Sequence, residues 1–231
     1  MSDAHPRSTS PMTERAALPA AVLWDMDGTL VDSEPYWIAE EYALVEAYGG
    51  QWSDEHAHQL VGQALLWSAD YIRAHTPVTM PREDVVQTLL AGVIRRFREH
   101  IPWRPGAQAL LASTRSLGVP CALVTMSYAA FADVMVQALP AGTFDAVVTG
   151  DVVTRGKPHP EPYLTAASLL GVAPRDCLAI EDSNTGLASA LAAGVPTVGI
   201  PHMVEIPEQE GLRIVPTMTG ASIPELWRLF A

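Results

Sequence analysis

Four short apolar segments of the sequence end in, or are soon followed by, residues whose side chains can do acid–base or nucleophilic chemistry. Those residues are Asp25 and Asp27, Thr125, Lys157, and Glu181 with Asp182. The carboxyl ends of parallel strands lie at one edge of a sheet, where ligands bind in open α/β folds. We therefore expect the four carboxylates, the hydroxyl and the amine to meet at one edge. Neighbouring carboxylates repel one another, and a divalent cation that prefers oxygen ligands relieves this repulsion. The pattern predicts a Mg²⁺ site.

Lysine is almost missing from this chain. Of its 14 basic residues only Lys157 is a lysine, and all the others are arginines. An ammonium group is a compact point charge, whereas a guanidinium group is planar and larger. A single lysine in so arginine-biased a sequence indicates that a compact cation is required at position 157.

Three segments of the chain, which differ in their pattern of apolar residues, must position these residues. Residues 20–24 are apolar and end in Asp25, which is typical of a strand buried on both faces. From Glu34 to about His100, apolar residues recur at helical spacing, and this predicts four or so helices without a strand. The clearest helical segments are 36–48, 64–75 and 84–97.

Beyond residue 106, helical segments alternate with short apolar runs, which indicates a parallel sheet with right-handed crossovers. The predicted helices are 106–117, 129–138, 161–170, 184–193 and 222–229, and the predicted strands are 120–125, 145–149, 177–180, 196–200 and a short run at 213–215. The predicted fold is α/β: a Rossmann-like, doubly wound parallel sheet interrupted after its first strand by an all-helical insert. The predicted boundaries are a flexible N-terminal tail over 1–18, a core over 19–32 and 104–231, and the insert over 33–103.

Charge and hydropathy exclude several classes of protein. With 14 basic and 26 acidic residues the net charge is −12, so the chain is poorly suited to bind nucleic acid or an anionic membrane. The longest apolar run is far shorter than the roughly 20 residues of a membrane span. The first 15 residues lack the apolar region of a secretory signal. Cys121 and Cys177 lie in separate apolar runs, which is typical of buried, unreactive cysteines in proteins of a reducing compartment. We expect a cytoplasmic protein, and a monomer.

The motifs together resemble those of the haloacid dehalogenase-like (HAD) superfamily. Four motifs occur in order: D-x-D-G-T at residues 25–29, a threonine after an apolar strand at Thr125, G-K-P at 156–158, and E-D-S at 181–183. The longer segments DMDGTLVDSEP, GKPHPEPY and EDSNTGLASALAAG resemble the subgroup in which a helical cap lies between the first and second motifs. On this resemblance the predicted insert is a cap and the sheet is a phosphotransfer core.

The resemblance also implies a role for each candidate residue. Asp25 is the nucleophile that forms an aspartyl-phosphate, and Asp27 is first general acid and then general base. Thr125 and Lys157 bind the phosphate. The implied Mg²⁺ ligands are Asp25, Asp27 through its backbone carbonyl, Asp182, and Glu181 either directly or through water.

The activity implied by the resemblance is a Mg²⁺-dependent phosphatase of a small phosphorylated metabolite, a sugar or polyol phosphate. The alternative is a phosphosugar mutase of the beta-phosphoglucomutase type. Such mutases carry a histidine twelve residues after the nucleophile, where this chain has Trp37, and a basic residue in the cap loop, where it reads Val61-Gly-Gln-Ala-Leu-Leu66. Dehalogenases of the superfamily lack the second aspartate of the first motif, so Asp27 disfavours them.

Each candidate also has a purely structural interpretation. A lone D-x-D-G-T is usually a turn with solvated acids, and Glu181-Asp182-Ser183 could be the start of a helix with Ser183 as its N-cap. Thr125 could be an ordinary strand residue. Tryptophans in or beside the insert could line a substrate pocket, although packing within a small helical domain is their more usual use. The co-occurrence of four motifs favours the catalytic interpretation over these.

Overall fold

The structure is a computed structural model that describes residues 18–61 and 63–231. The tail predicted for residues 1–18 lies outside the described residues, apart from Leu18. No helix in the described part of the chain is long and apolar enough to cross a lipid bilayer.

A parallel sheet forms the centre of the molecule. Within the described residues it has six strands in the order β3-β2-β1-β4-β5-β6, and every neighbouring pair is parallel. The strands are β1 (Ala21–Trp24), β2 (Cys121–Val124), β3 (Ala146–Val148), β4 (Cys177–Glu181), β5 (Thr197–Gly199) and β6 (Leu212–Ile214). The strand order reverses next to β1, so the ends of β1, β2 and β4 face the crevice where such sheets bind ligands.

Helices flank the sheet and fill the long connection after β1. In the described chain four helices form the insert that follows β1: α1 (Glu34–Ala47), α2 (Asp54–Leu60), α3 (Leu65–His75) and α4 (Arg82–Glu99). The others are α5 (Ala107–Ser116), α6 (Ala129–Gln137), α7 (Glu161–Leu169), α8 (Asn184–Ala192) and α9 (Ile223–Arg228). The predicted α/β fold, a doubly wound parallel sheet with an all-helical insert, is confirmed.

The start of α1 differs from the prediction. The sequence pattern placed the helix from Tyr36, but α1 begins at Glu34 and includes Pro35 in its first turn. Proline is well tolerated there because the first amides of a helix have no intrahelical acceptor. The helix therefore reaches two residues closer to the edge of the sheet than predicted.

Both faces of the sheet are buried, as the apolar strands require. Val22 and Trp24 of β1 belong to one hydrophobic cluster with residues of α5, α6 and α9. Ala21 and Leu23 point the other way and pack with residues of α7 and α8. Successive strand residues alternate between faces, so one strand holds the two layers together and fixes the position of Asp25.

The helical insert has a hydrophobic cluster of its own and joins the core through two paired connectors. Its buried members are Leu44, Val45, Trp52, Ala57, Leu60, Ala69, Ile72, Val78, Val85, Val86 and Leu89. In the connectors the Asp32 amide donates to the Pro102 carbonyl (2.8 Å), and the Arg104 amide donates to the Leu30 carbonyl (2.9 Å). The chain thus leaves and re-enters the core at a single place, beside the first motif.

Candidate active site

Lys157 lies at the centre of the site, at the edge of the sheet. Its ammonium donates to Asp25 Oδ1 (2.6 Å), Glu181 Oε1 (2.6 Å) and the Val124 carbonyl oxygen (2.9 Å). Its side chain is only 4% exposed, and that of Asp25 is 8% exposed. The three acceptors come from the ends of β1, β2 and β4, so the lysine joins the three strands that flank the reversal in strand order. The placement expected from the sequence for these three charged residues is therefore observed.

Three hydroxyl groups from two segments surround Asp27. Ser33 Oγ donates to Asp27 Oδ1 (2.5 Å), while Ser127 Oγ (2.7 Å) and Thr125 Oγ1 (3.1 Å) donate to Asp27 Oδ2. Thr125, expected to bind phosphate, thus has Asp27 as its hydroxyl partner in this structure. Burial raises the pKa of Asp27, although the hydroxyls of Ser33, Ser127 and Thr125 act in the opposite direction. Asp27 is therefore fixed in orientation and retains its proton more strongly than an exposed aspartate.

Asp182 is held against the turn of the first motif. Thr29 Oγ1 donates to Asp182 Oδ1 (3.1 Å), and both residues are buried. Gly28 has φ +87°, and a Cβ atom at this position would overlap the Asp182 carboxylate. Glycine is therefore required at position 28 for two reasons, the left-handed backbone conformation and the close approach of a side chain.

Glu181 is fully buried and both of its carboxylate oxygens are hydrogen-bonded. In addition to Lys157, Oε1 accepts from the hydroxyl of Tyr163 (2.8 Å), and Oε2 accepts from the amides of Asp182 (3.1 Å) and Ser183 (3.3 Å). Ser183 also caps α8, with its hydroxyl accepting from the Gly186 amide. The structural interpretation of Ser183 as an N-cap is correct, and it coexists with the carboxylate cluster.

Three carboxylates are arranged in a way that suits a metal ion. Oxygens of Asp25, Glu181 and Asp182 all lie within 4.8 Å of one another. Asp25 Oδ2 is buried and has no hydrogen-bond partner among the described residues. A buried anionic oxygen without a partner is costly, and a set of ligands made only of oxygens is what Mg²⁺ prefers. The residues present therefore fit this ion.

The electrostatics of the cluster agree with that fit. Burial and the nearby Glu181 carboxylate raise the pKa of Asp25 to about 7, even though Lys157 opposes this. Burial, Asp25 and Glu181 raise the pKa of Asp182 well above its usual range. Burial lowers the pKa of Lys157, but Asp25 and Glu181 outweigh it and hold the pKa above its ordinary value. The site holds more negative charge than its one lysine can balance.

Three residues in direct contact with the predicted ones were not found from the sequence. Ser33 and Ser127 bind Asp27, and Tyr163 binds Glu181. Only the position of Ser127 could have been predicted from the sequence. It follows Thr125 by two residues at a strand end, so its side chain is expected to lie near that of Thr125. The other two reach the site from an inter-domain connector and from α7, and no local sequence pattern specifies those contacts.

Comparison with known proteins identifies the family. Residues 19–194 match the family model described as haloacid dehalogenase-like hydrolase. The chain belongs to this family. It is 33% identical over 205 residues to hexitol phosphatase A of Escherichia coli K12, covering 84% of this chain and 88% of that protein. It is 32% identical to phosphoglycolate phosphatase of the same strain, covering 78% and 81% respectively.

The fold is also similar to solved structures of the family. The crystal structure of CbbY from Rhodobacter sphaeroides in complex with phosphate superimposes with a TM-score of 0.81 at 25% identity, covering 90% of this chain and 99% of that one. The membership of the HAD family that the four motifs predicted is thus confirmed. The predicted enzyme class, phosphoric monoester hydrolase, is also confirmed, because the relatives matched over most of their length are phosphatases.

One more buried acid, Glu41 of α1, permits a prediction about stability. Glu41 is 4% exposed, and burial raises its pKa to about 8, although the Trp52 indole donates a hydrogen bond to it. A pKa higher in the folded than in the unfolded state contributes stability that is lost as pH rises from the unfolded to the folded value. Relative to Glu41→Gln, we expect the free energy of unfolding of the wild type to fall by roughly 2–3 kcal/mol between pH 6 and pH 9.

Urea unfolding of both proteins at the two pH values measures this change. The other titrating groups are common to the pair, and those that do not interact with Glu41 cancel in the difference. If the free energies of unfolding of wild type and variant differ by the same amount at pH 6 and at pH 9, Glu41 ionises as an ordinary glutamate does.

Proposed function

We propose that this protein is a Mg²⁺-dependent phosphatase that hydrolyses a small phosphorylated metabolite, a sugar or polyol phosphate, through an aspartyl-phosphate on Asp25. One observation carries the proposal. Asp25 is buried against Lys157 and beside Asp182, and one of its oxygens lacks any partner among the described residues. A carboxylate prepared in this way can both bind a metal ion and attack phosphorus.

The chemistry divides between the two aspartates of the first motif. Asp25 attacks phosphorus, and the ester oxygen leaves as an alcohol with the proton that Asp27 carries. Asp27 then removes a proton from the water molecule that attacks the aspartyl-phosphate, which releases inorganic phosphate and regenerates Asp25. The raised pKa of Asp27 supports its starting protonated, and its three hydroxyl partners orient it.

The remaining site residues bind and orient. Lys157 neutralises charge between the nucleophile and the phosphoryl oxygens, and Thr125 donates its hydroxyl to one of those oxygens once substrate is bound. Asp25, Asp182, the backbone carbonyl of Asp27 and, directly or through water, Glu181 would hold Mg²⁺. When bound, the ion would supply positive charge that stabilises the spreading charge of phosphoryl transfer.

We assign residues 33–103 to a cap and residues 19–32 and 104–231 to the phosphotransfer core. Paired connectors near Asp32 and Arg104 join the two, so a small change in their backbone angles would move the cap as a unit and exclude water from the site. Small metabolites are the expected partners, in the cytoplasm, with no role for nucleic acid or membrane.

The mutase alternative has less support. At the position where such mutases have a histidine, Trp37 packs its ring edge-on against Phe131 at a centroid distance of 5.9 Å. An indole in a hydrophobic contact cannot shuttle a proton to a sugar hydroxyl.

Metal removal tests the proposal. Because the excess of carboxylates over cations in the site would repel a phosphate dianion, we expect hydrolysis of a polyol phosphate to fall to background in excess chelator. Addition of Mg²⁺ in excess over the chelator should restore it. Phosphate release is measured against the same protein dialysed without chelator, and undiminished hydrolysis in the chelator would refute metal dependence.

A further inference from the structure

Tyr163 of α7 is fully buried next to the carboxylate cluster. Its ring packs against apolar residues of β1, β2 and β4, in the same hydrophobic cluster as Leu23, Val124 and Ala179. Its hydroxyl donates to Glu181 Oε1 (2.8 Å). A phenylalanine would fill the same apolar space, so packing accounts for the ring but not for the hydroxyl.

The oxygen that Tyr163 binds is also bound by Lys157. The ammonium donates to Glu181 Oε1 at 2.6 Å and lies 5.3 Å from the centre of the Tyr163 ring. Lys157 belongs to the third motif, and Tyr163 belongs to the helix that follows this motif. One carboxylate oxygen therefore holds both ends of the segment, and Ser189 of α8 holds its middle by donating to the His159 carbonyl (2.6 Å).

Glu181 is itself fixed on its other side. Its Oε2 accepts from the amides of Asp182 and Ser183, and a Cβ atom at Gly186 of α8 would overlap the carboxylate. With Oε2 held by the backbone, the position of Oε1 depends on its two side-chain donors. The ammonium is carried by a flexible four-carbon chain, whereas the ring of Tyr163 is enclosed, so the tyrosine hydroxyl is the rigid donor of the two.

The contacts of Lys157 continue to the nucleophile. The ammonium donates to Asp25 Oδ1 (2.6 Å), whereas Asp25 Oδ2 is buried without a hydrogen-bond partner among the described residues. An ammonium group has three N–H donors, and the Val124 carbonyl accepts from the third. Any shift of Glu181 Oε1 would therefore also shift the ammonium relative to Asp25.

We propose that Tyr163 is a positioning residue for phosphoryl transfer. By donating to the Glu181 oxygen that Lys157 also binds, its hydroxyl fixes the ammonium on Asp25 Oδ1 and keeps Asp25 Oδ2 free to react. This rests on the proposed phosphatase function. Tyr163 has no exposed surface with which to contact a substrate, so its effect is on the rate of the chemical step and not on substrate binding.

Tyr163→Phe tests the role of the hydroxyl, because phenylalanine keeps the ring and most of the buried volume. With p-nitrophenyl phosphate and Mg²⁺, we expect kcat to fall about tenfold and KM to change by less than about twofold, since a misplacement of about 1 Å can cost about 10²-fold in rate. Urea unfolding establishes that the variant is folded.

Tyr42→Phe is the matched control. The Tyr42 hydroxyl also donates to a carboxylate at 2.8 Å, that of Asp54, but this contact lies within the helical insert. The same chemical group is thus removed from a similar hydrogen bond outside the carboxylate cluster. Both kinetic constants should equal those of the wild type.

The position of the ammonium can be observed directly. Because Lys157 is the only lysine of the chain, protein labelled with ε-¹³C-lysine gives a single ε-methylene signal in an NMR spectrum. In protein without metal or substrate, the two protons of this group should have separate chemical shifts, because the side chain is fixed. We expect their separation to shrink in Tyr163→Phe, which retains the aromatic ring, and to stay unchanged in Tyr42→Phe.

Wild-type kcat in a folded Tyr163→Phe would overturn the proposal, and so would a loss of activity that appears as a raised KM. A reduced kcat with an unchanged ε-methylene signal would also overturn it, because the hydroxyl would then act without Lys157. If the wild type hydrolyses no phosphomonoester, the phosphatase function is refuted, and the lysine signal still decides whether Tyr163 fixes Lys157.

Discussion

We expect Asp25→Asn to abolish phosphatase activity and to leave no covalent intermediate, because an amide cannot act as the nucleophile. The substitution also removes the oxygen charge next to Lys157 in a site where both side chains are less than a tenth exposed. Hydrolysis of any phosphomonoester should fall to background. The measurement is phosphate release together with intact-protein mass after rapid quenching, in which a phosphoenzyme appears as added phosphate.

Asp27→Asn is the matched variant. It keeps the backbone carbonyl assigned to the metal, so Mg²⁺ and substrate should still bind. It loses proton transfer, which is typically worth about 10²–10⁴-fold in rate. With p-nitrophenyl phosphate, whose leaving group needs little protonation, the first step should be slowed less than hydrolysis of the intermediate, and phosphoenzyme should accumulate.

The two variants must differ for the division of labour to hold. If Asp25→Asn and Asp27→Asn lose activity equally on good and poor leaving groups, and neither shows an intermediate by mass, the assignment of separate roles is wrong. Ser127→Ala adds a graded comparison, since it removes one of the three hydroxyls that orient Asp27 while leaving its carboxyl group intact.

Lys157→Arg is expected to be nearly as damaging, although it preserves the charge. The ammonium occupies an enclosed space with three acceptors at 2.6 to 2.9 Å. Arginine is longer, and its planar group cannot place a point charge between Asp25 and Glu181. We expect kcat to fall by at least about 10²-fold, as it does when one preorganised donor to a transition state is lost.

A reverse substitution in the same loop is the control for this prediction. Arg155 is 68% exposed and lies 3.5 Å from Glu161, so Arg155→Lys should leave activity and the free energy of unfolding almost unchanged. Circular dichroism and urea unfolding establish that Lys157→Arg is folded. Near-normal turnover in Lys157→Arg would show that this lysine is not positioned for catalysis.

The sequence alone determined the elements and the charged members of the site. Apolar runs bounded by turns predicted the strands, and helical spacing predicted the insert, because both periodicities are local properties of the chain. Asp25, Asp27, Lys157 and Asp182 were found because strand ends in a parallel sheet converge, a rule that needs topology but no side-chain detail. The near-absence of lysine singled out Lys157 without any structural information.

Only the tertiary structure decided what surrounds those residues. Ser33 and Ser127 reach Asp27 from different segments, and Tyr163 reaches Glu181 from α7. Such contacts depend on the exact packing of a helix or the path of a connector, and residues far apart in sequence carry no local pattern for them. The contrast between Glu40, bound by two arginines, and Glu41, bound by an indole, is likewise invisible in the sequence, where they are identical neighbours. Their difference comes from the side of α1 that faces α4.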